Sequence, residues 1–205
     1  MRISNRKKVR AIFQEFDFHS EIEIPLHAFE EYLIFAEQKL HCEIRERIEQ
    51  EERENEDSED EYFSAGHHVN LEMMQLHYIS MFIFLHSFLE KKMQCFCKIV
   101  GNISDECESG ILNYKNCLKH VNIDITESEE WCAIIRFSDL RNVLVHSNNH
   151  TVTNTEKIKN IRKLEGVDVR EWLEPKISIQ KFELFKNFID SIRNLLDFIY
   201  YDEVK

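Results

Sequence analysis

The chain has 205 residues, and only 4 of them are Gly and 2 are Pro. This shortage argues against β-sandwiches and barrels, which need frequent turns, and against the glycine-rich phosphate loops of Rossmann and P-loop folds. The net charge of −12 argues at first against a nucleic-acid partner, but the 19 residues at 43–61 carry −8 of it. With 43% hydrophobic residues, we predict one all-α domain over 1–205, an up-and-down helical bundle.

The first half of the chain predicts a long antiparallel helix hairpin. Pro25 can open the first helix, which carries an apolar stripe at helical spacing. The acidic segment that follows, at about 43–66, is either a solvated helix extension or a loop. Asn70 is a plausible N-cap for a second helix at about 71–100, which is apolar nearly all round, as at the centre of a bundle. The stripe of the first helix consists of Phe29, Leu33, Ala36 and Leu40.

The second half predicts shorter helices and one irregular excursion. Thr126 or Ser128 is predicted to cap the helix that follows it, and Thr126 with Glu129 has the spacing of a capping box. Pro175 interrupts an apolar stretch, which suggests a short β-hairpin near 166–179. The other predicted helices cover about 104–120, 153–164 and 179–200.

The helix after Ser128 carries the most informative polar residues. With about 100° per residue, Ala133, Phe137, Leu140 and Leu144 form one stripe that faces the core. If Arg141 is set at 0°, Asn142 lies at about 100° and His146 at about 140°, on one polar arc beside that stripe. Asn142 and His146 are also i, i+4 neighbours that can touch. The pattern therefore brings Arg, Asn and His together at the C-terminal end of a helix.

These residues form the motif R-N-x-x-x-H, from Arg141 to His146. It resembles the signature of the HEPN superfamily, the all-α domains of many prokaryotic RNase toxins and defence proteins. An Arg, a following Asn and a His at this spacing are expected only about 0.04 times by chance in this composition. The segment at 82–93, which leads into Glu90, is similar to the first core helix of that family, and the helix order over about 25–200 also fits.

The resemblance implies a metal-independent endoribonuclease that acts as a homodimer with a composite site. His146 would be the general base, Arg141 would stabilise the transition state, and Asn142 would orient His146 or hold a phosphate oxygen. Glu90 and Ser147 are supporting candidates. The product would carry a 2′,3′-cyclic phosphate, and the biological setting would be toxin–antitoxin or antiviral defence, with RNA as substrate and an antitoxin as a further partner.

The residue types suit this chemistry, because histidine exchanges protons near neutral pH and arginine matches phosphate oxygens with a planar fork. Two alternatives stay open. Arg141 and His146 also suit the carbonyl end of a helix for structural reasons alone. The chain could also be a helical interaction module that binds a nucleotidyltransferase.

The sequence predicts no cofactor and no metal site, since it has no C-x-x-C pair, and a His146–His150 pair would require the helix to continue through Ser-Asn-Asn. It shows neither a secretory signal nor an apolar span of membrane length, so we expect a cytoplasmic protein with reduced cysteines and no membrane contact.

Overall fold

A computed structural model describes residues 16–54, 63–99, 110–120, 123–146, 151–152, 154–171 and 175–204. In these ranges the protein is an all-α bundle with one small β-hairpin, which confirms the predicted fold class. A π-helical turn at His19–Glu23 runs directly into the first α-helix. The helices are α1 (Ile24–Glu54), α2 (Phe63–Ile99), α3 (Ile111–His120), α4 (Glu129–His146), α5 (Thr155–Ile161) and α6 (Glu183–Val204), and the strands are β1 (Val167–Arg170) and β2 (Lys176–Ile179).

Helices α1 and α2 form the predicted antiparallel hairpin. Arg47 near the end of α1 contacts Met73 near the start of α2, with 3.4 Å between Nη1 and Sδ. Phe29, near the start of α1, stacks on Phe84, with ring centroids 5.3 Å apart. The end of α1 therefore lies beside the start of α2, and the start of α1 lies beside a later part of α2, so the two helices run antiparallel.

The centre of the bundle is a cluster of aromatic rings between α2, α4 and α6. Phe188 of α6 stacks on Phe137 of α4 at 4.2 Å between centroids and lies 5.1 Å from the ring of Phe82 on α2. All three rings are buried. Burying a ring of this size contributes roughly 1.5–3 kcal/mol, so this cluster fixes the positions of α2 and α4 relative to each other.

The predicted β-hairpin is confirmed and lies against α2. Strands β1 and β2 pair in antiparallel register from Val167 opposite Ile179 to Arg170 opposite Lys176. The side-chain amide of Gln75 on α2 bonds both the N–H and the carbonyl of Ile179, at 3.1 and 2.5 Å. Gly166 opens the hairpin with a φ of +87°, and a Cβ there would lie 3.0 Å from the Lys181 carbonyl oxygen. Glycine is therefore required at this position.

The predicted N-cap at Asn70 is wrong. Asn70 lies within α2, which begins at Phe63, and its side chain is buried. Gly66 costs a helix interior only about 0.5–1 kcal/mol, which is too little to stop a helix of 37 residues from extending back to Phe63. The capping preference of Asn70 therefore does not set the start of this helix.

The cap of α4 is Ser128 rather than Thr126. Ser128 Oγ accepts a hydrogen bond from the backbone N–H of Trp131 at 3.1 Å. The backbone N–H of Thr126 donates instead to Asp124 Oδ1 at 3.0 Å, in the turn that precedes the helix. The Thr126–Glu129 capping box is therefore not formed, because Thr126 belongs to the turn before the helix.

The other predicted boundaries shift by several residues. The acidic segment is helical as far as Glu54, which favours the solvated helix extension for that part, and 55–62 lie outside the described residues. The helix predicted at 104–120 is observed from Ile111, with 101–109 outside the described residues. The helix predicted at 179–200 starts at Glu183, because β2 extends to Ile179. None of the described helices combines the length and the hydropathy needed to cross a membrane.

Candidate active site

The C-terminal half of α4 separates a core face from a polar face, as its periodicity predicts. Phe137, Leu140 and Leu144 are buried, and α4 packs against α6 and α5 through this side. Arg141 is half-buried and His146 is exposed. Burial of this stripe therefore fixes the orientation of α4 about its own axis. In this orientation Arg141 and His146 face away from the core.

Arg141 links the three motif side chains. Its Nη1 donates to His146 Nε2 at 3.1 Å and to Asn142 Oδ1 at 3.2 Å. Within the described residues, the hydrogen bonds that join the motif residues both come from Arg141, so Asn142 contacts His146 through Arg141 rather than directly. A guanidinium only donates hydrogen bonds, so His146 Nε2 must be the unprotonated nitrogen of a neutral ring in this arrangement.

The guanidinium of Arg141 has further donors to offer. Both of its hydrogen bonds in the described part of the chain use Nη1, which leaves Nε and Nη2. Among the same residues, no carboxylate lies within 4.0 Å of Arg141. A half-buried arginine without an acidic partner has its charge available for an anion.

A cleft of about 480 Å³ opens beside the motif, between α2, the start of α3 and α4. Arg141 and Asn142 form part of its wall, together with polar residues from two turns of α2. Its volume lies within the range of roughly 300–1,000 Å³ typical of small-molecule sites. The lining residues are His86, Glu90, Gly110, Ile111, Leu112, Asn113, Ile135, Ser138, Asp139, Arg141 and Asn142.

The deepest polar group of this cleft is His86. Its Nε2 lies 3.1 Å from Ser138 Oγ, and both side chains are buried. Burial, followed by the nearby positive charge of Arg141, lowers the pKa of His86 to about 4. His86 is therefore neutral at physiological pH and serves as a hydrogen-bonding group rather than as a charge.

Glu90 lies one helical turn beyond His86 on the same wall. Its Oε2 is 3.9 Å from His86 Nδ1, too long for a hydrogen bond, and its side chain is 29% exposed. On the opposite wall, Asp139 Oδ2 accepts a hydrogen bond from Asn160 of α5 at 2.9 Å. The cleft therefore has one carboxylate on the α2 wall and another on the α4 wall, which also carries Arg141.

The structure brings four of the five site residues predicted from the sequence to one region. Arg141, Asn142 and His146 are joined by hydrogen bonds, and Glu90 lines the adjoining cleft. Ser147 lies outside the described residues, as does His150.

His86 and Ser138 are not among the site residues predicted from the sequence. The signal for His86 was its position in the mostly apolar stretch 78–89, four residues before Glu90, since a polar i, i+4 pair in a core helix needs an explanation. Ser138 precedes Arg141 by one turn, so it shares the face of α4 that looks into the cleft.

A larger cavity, of about 640 Å³, lies between α1 and α2 and has a different character. Its walls are almost entirely apolar, from Pro25 and Phe29 on α1 to Met81 and Phe88 on α2. The lining of this cavity contains no acid, base or cation. No cluster of three or more His, Cys, Asp or Glu side chains with metal-binding geometry occurs among the described residues.

Comparison of the chain with family models, curated proteins and solved structures produces no match. A function for this chain therefore has to be inferred from its side chains.

Proposed function

We propose that this protein is a metal-independent endoribonuclease of the HEPN type, in which Arg141 and His146 promote attack of the RNA 2′-OH on the adjacent phosphate. The observation that carries the proposal is the Arg141–His146 pair, with 3.1 Å between Nη1 and Nε2 beside an open cleft. An unprotonated imidazole nitrogen can take the 2′-OH proton, and a guanidinium with no carboxylate partner among the described residues can bind the phosphate.

His146 would act as the general base. Its Nε2 carries a lone pair that now accepts from Arg141, and its side chain is exposed, so a ribose 2′-OH can replace Arg141 as the donor. Nε2 then takes the 2′-OH proton while the 2′ oxygen forms a bond to phosphorus. The bond from phosphorus to the 5′ oxygen breaks, which leaves a 2′,3′-cyclic phosphate on one product and a 5′-OH on the other.

Arg141 would bind the phosphate and stabilise the negative charge that grows on it in the transition state. Nε and Nη2 form a planar pair of donors that matches two non-bridging oxygens. Asn142, held by the same guanidinium, keeps Arg141 close to His146. These contacts keep the two reacting groups close together before RNA arrives.

We further propose that two copies form a composite site. In a reaction without a metal, the departing 5′ oxygen needs a proton, and the histidine of a second copy is a suitable donor. His146 and the neighbouring Val145 are both exposed at the end of α4, with Val145 41% exposed. Exposure at the end of α4 leaves His146 accessible to a substrate that is shared with a second copy.

The test is cleavage of structured and single-stranded RNA by purified protein, for the wild type and for His146→Ala and Arg141→Ala. The matched control is His120→Ala, because His120 also lies in the last turn of its helix and bonds a backbone carbonyl, Asn116 O, at 2.7 Å. We expect loss of cleavage only in the first two variants.

The same variants distinguish the proposal from its alternatives. If wild-type dimers leave RNA intact while the Arg141 and His146 variants lose only stability, the two residues are structural. If expression in cells is toxic and His146→Ala remains equally toxic, the helical interaction module that binds a nucleotidyltransferase is favoured. If His146→Ala relieves toxicity, the role in toxin–antitoxin or antiviral defence is favoured.

A further inference from the structure

The cleft next to Arg141 has polar groups that the proposed cleavage chemistry does not use. Glu90 and Asp139 place carboxylates on opposite walls, on α2 and α4, and His86 lies at the bottom. Ile111, Leu112 and Ile135 add apolar side chains to the lining. A phosphate would meet two carboxylates here, so the cleft suits a different part of an RNA chain.

His86 provides an independent sign that the cleft receives a ligand. Its side chain is 3% exposed, and its Nδ1 has no hydrogen-bond partner among the described residues. The Glu90 carboxylate, 3.9 Å from Nδ1, favours the tautomer in which Nδ1 carries the proton and Nε2 accepts from the hydroxyl of Ser138. A buried N–H without a partner costs about 1–3 kcal/mol, which a ligand acceptor would offset.

The arrangement of these groups matches one edge of one base. In this tautomer Nδ1 of His86 is a donor and the Glu90 carboxylate is an acceptor, and the two atoms Nδ1 and Oε2 are 3.9 Å apart. They are too far apart to satisfy each other and close enough to contact neighbouring atoms of the same ring. The Watson–Crick edge of guanine presents a carbonyl oxygen, O6, beside two adjacent N–H donors, on N1 and N2.

The other bases fit this arrangement poorly. Adenine and cytosine place an unprotonated ring nitrogen beside their amino group, and that nitrogen would face a carboxylate oxygen. Uracil has a single N–H between two carbonyl oxygens. Only guanine offers two parallel donors to one carboxylate, and base discrimination by such a paired contact is typically about tenfold or more.

We propose that this cleft is a guanine-binding subsite, in which Glu90 accepts from N1–H and N2–H, and His86 donates to O6. Asp139 Oδ1, on the opposite wall, is a further acceptor for the amino group, since Oδ2 is already bonded to Asn160. Single-stranded RNA is commonly read in this way, by a base turned out of its stack and bonded along its Watson–Crick edge.

The subsite deepens the proposed ribonuclease function and rests on it for its biological meaning. Arg141 and Asn142 belong to the wall of the cleft and to the motif at once, so a guanine bound there would place its own 3′-phosphate beside the Arg141–His146 pair. The protein would then cut RNA after guanosine.

The experiment is calorimetric titration of the full-length chain with the 3′-monophosphates of guanosine, inosine, adenosine, cytidine and uridine. These nucleotides cannot be cleaved, so binding is measured without catalysis. We expect guanosine 3′-monophosphate to bind at least about tenfold more tightly than the adenosine, cytidine and uridine compounds. Inosine, which keeps O6 and N1–H and lacks the N2 amino group, should fall between them.

Glu90→Gln and Asp139→Asn test the carboxylates, and Glu46→Gln is the matched control, since Glu46 is exposed on α1 and does not line the cleft. We expect Glu90→Gln to remove the preference for guanine, Asp139→Asn to reduce it, and Glu46→Gln to preserve it. Equal binding of all the nucleotides, or no binding of any, would overturn the proposal, as would an unchanged preference in Glu90→Gln.

The guanine-binding proposal and the RNA-cleavage proposal can be rejected independently of each other. RNA cleavage without guanine selectivity would leave the ribonuclease proposal in place and reject the subsite. Selective guanine binding by a protein that cuts no RNA would support the subsite and reject the ribonuclease proposal.

Discussion

The guanidinium of Arg141 donates to Nε2 of His146 across 3.1 Å, between residues five positions apart at the C-terminal end of α4. Because arginine cannot accept a hydrogen bond, this contact exists only while the imidazole is neutral. The pair thus combines a fixed positive charge with an available lone pair. The proposed chemistry depends on both.

Arg141→Lys should lower kcat/KM for RNA cleavage by about 10²–10³-fold. Lysine keeps the positive charge, but its single ammonium cannot contact two phosphate oxygens while it also holds His146 and Asn142. The measurement is steady-state cleavage of a short RNA. Arg136→Lys, on the same helix and outside the cleft, is the control and should retain the wild-type rate. A wild-type rate in Arg141→Lys would show that charge alone suffices.

The buried His86 should make the protein less stable in acid. Burial and the charge of Arg141 lower the pKa of His86 to about 4 in the folded state, against about 6.5 in the unfolded chain. Between these values only the unfolded chain takes up the proton. This contribution to stability is therefore complete above about pH 6.5 and is lost as the pH falls towards 4, by about 3 kcal/mol in total.

Urea unfolding of the wild type and of His86→Gln across this pH range measures the effect. From pH 7 to pH 4, the unfolding free energy of the wild type should fall by about 3 kcal/mol more than that of His86→Gln. His27→Gln, at an exposed position of α1, should follow the wild type in parallel. If the unfolding free energies of the wild type and of His86→Gln changed with pH by the same amount, His86 would take up its proton equally in the folded and unfolded states.

Phe188→Ala should destabilise the protein by about 3–5 kcal/mol. Phe188 contacts the rings of both Phe82 and Phe137, so its loss opens a cavity among three helices. The control is Phe84→Ala, because Phe84 is 62% exposed and should cost less than about 1 kcal/mol. Chemical denaturation of both variants measures the two losses in unfolding free energy. Equal losses would contradict the position of Phe188 in the core.

Ser128→Ala should lower the stability by about 1 kcal/mol, because Ser128 Oγ caps the N–H of Trp131 at the start of α4. Ser87→Ala provides the comparison, since Ser87 is exposed in the middle of α2 and bonds the carbonyl of Ile83. There alanine is the better helix former, so thermal melting should show no loss. A Ser128→Ala variant as stable as the wild type would place the cap elsewhere.

The sequence predicts the long helices well, because their apolar spacing is set by burial along the whole element. Leu33 on α1, and Phe137 and Leu140 on α4, are buried as their periodicity indicates. The ends of helices are less predictable. Asn70 and Thr126 both have the composition of caps, but α2 starts seven residues before Asn70, and the backbone N–H of Thr126 bonds Asp124 in the turn before α4. Several residues near each helix end can serve as the cap, so local composition does not decide between them.

The candidate site shows the same division. The contact between Arg141 and His146 follows from their positions on one helix, which the sequence specifies. The cleft does not, because His86 and Glu90 come from α2 and meet Ser138 and Asp139 of α4 only through the tertiary fold. His86 and Ser138 are 52 residues apart in the chain, and neither belongs to the motif.

The central claim is that RNA is cut by its own 2′-OH with the help of Arg141 and His146. The most direct measurement uses a DNA oligonucleotide with a single ribonucleotide, whose products are identified by mass spectrometry after incubation with the wild type and with His146→Ala. We predict one cut, 3′ of the ribonucleotide, with a 2′,3′-cyclic phosphate and a 5′-OH, and no cut by the variant. A 5′-phosphate product, or equal cleavage by His146→Ala, would contradict the account.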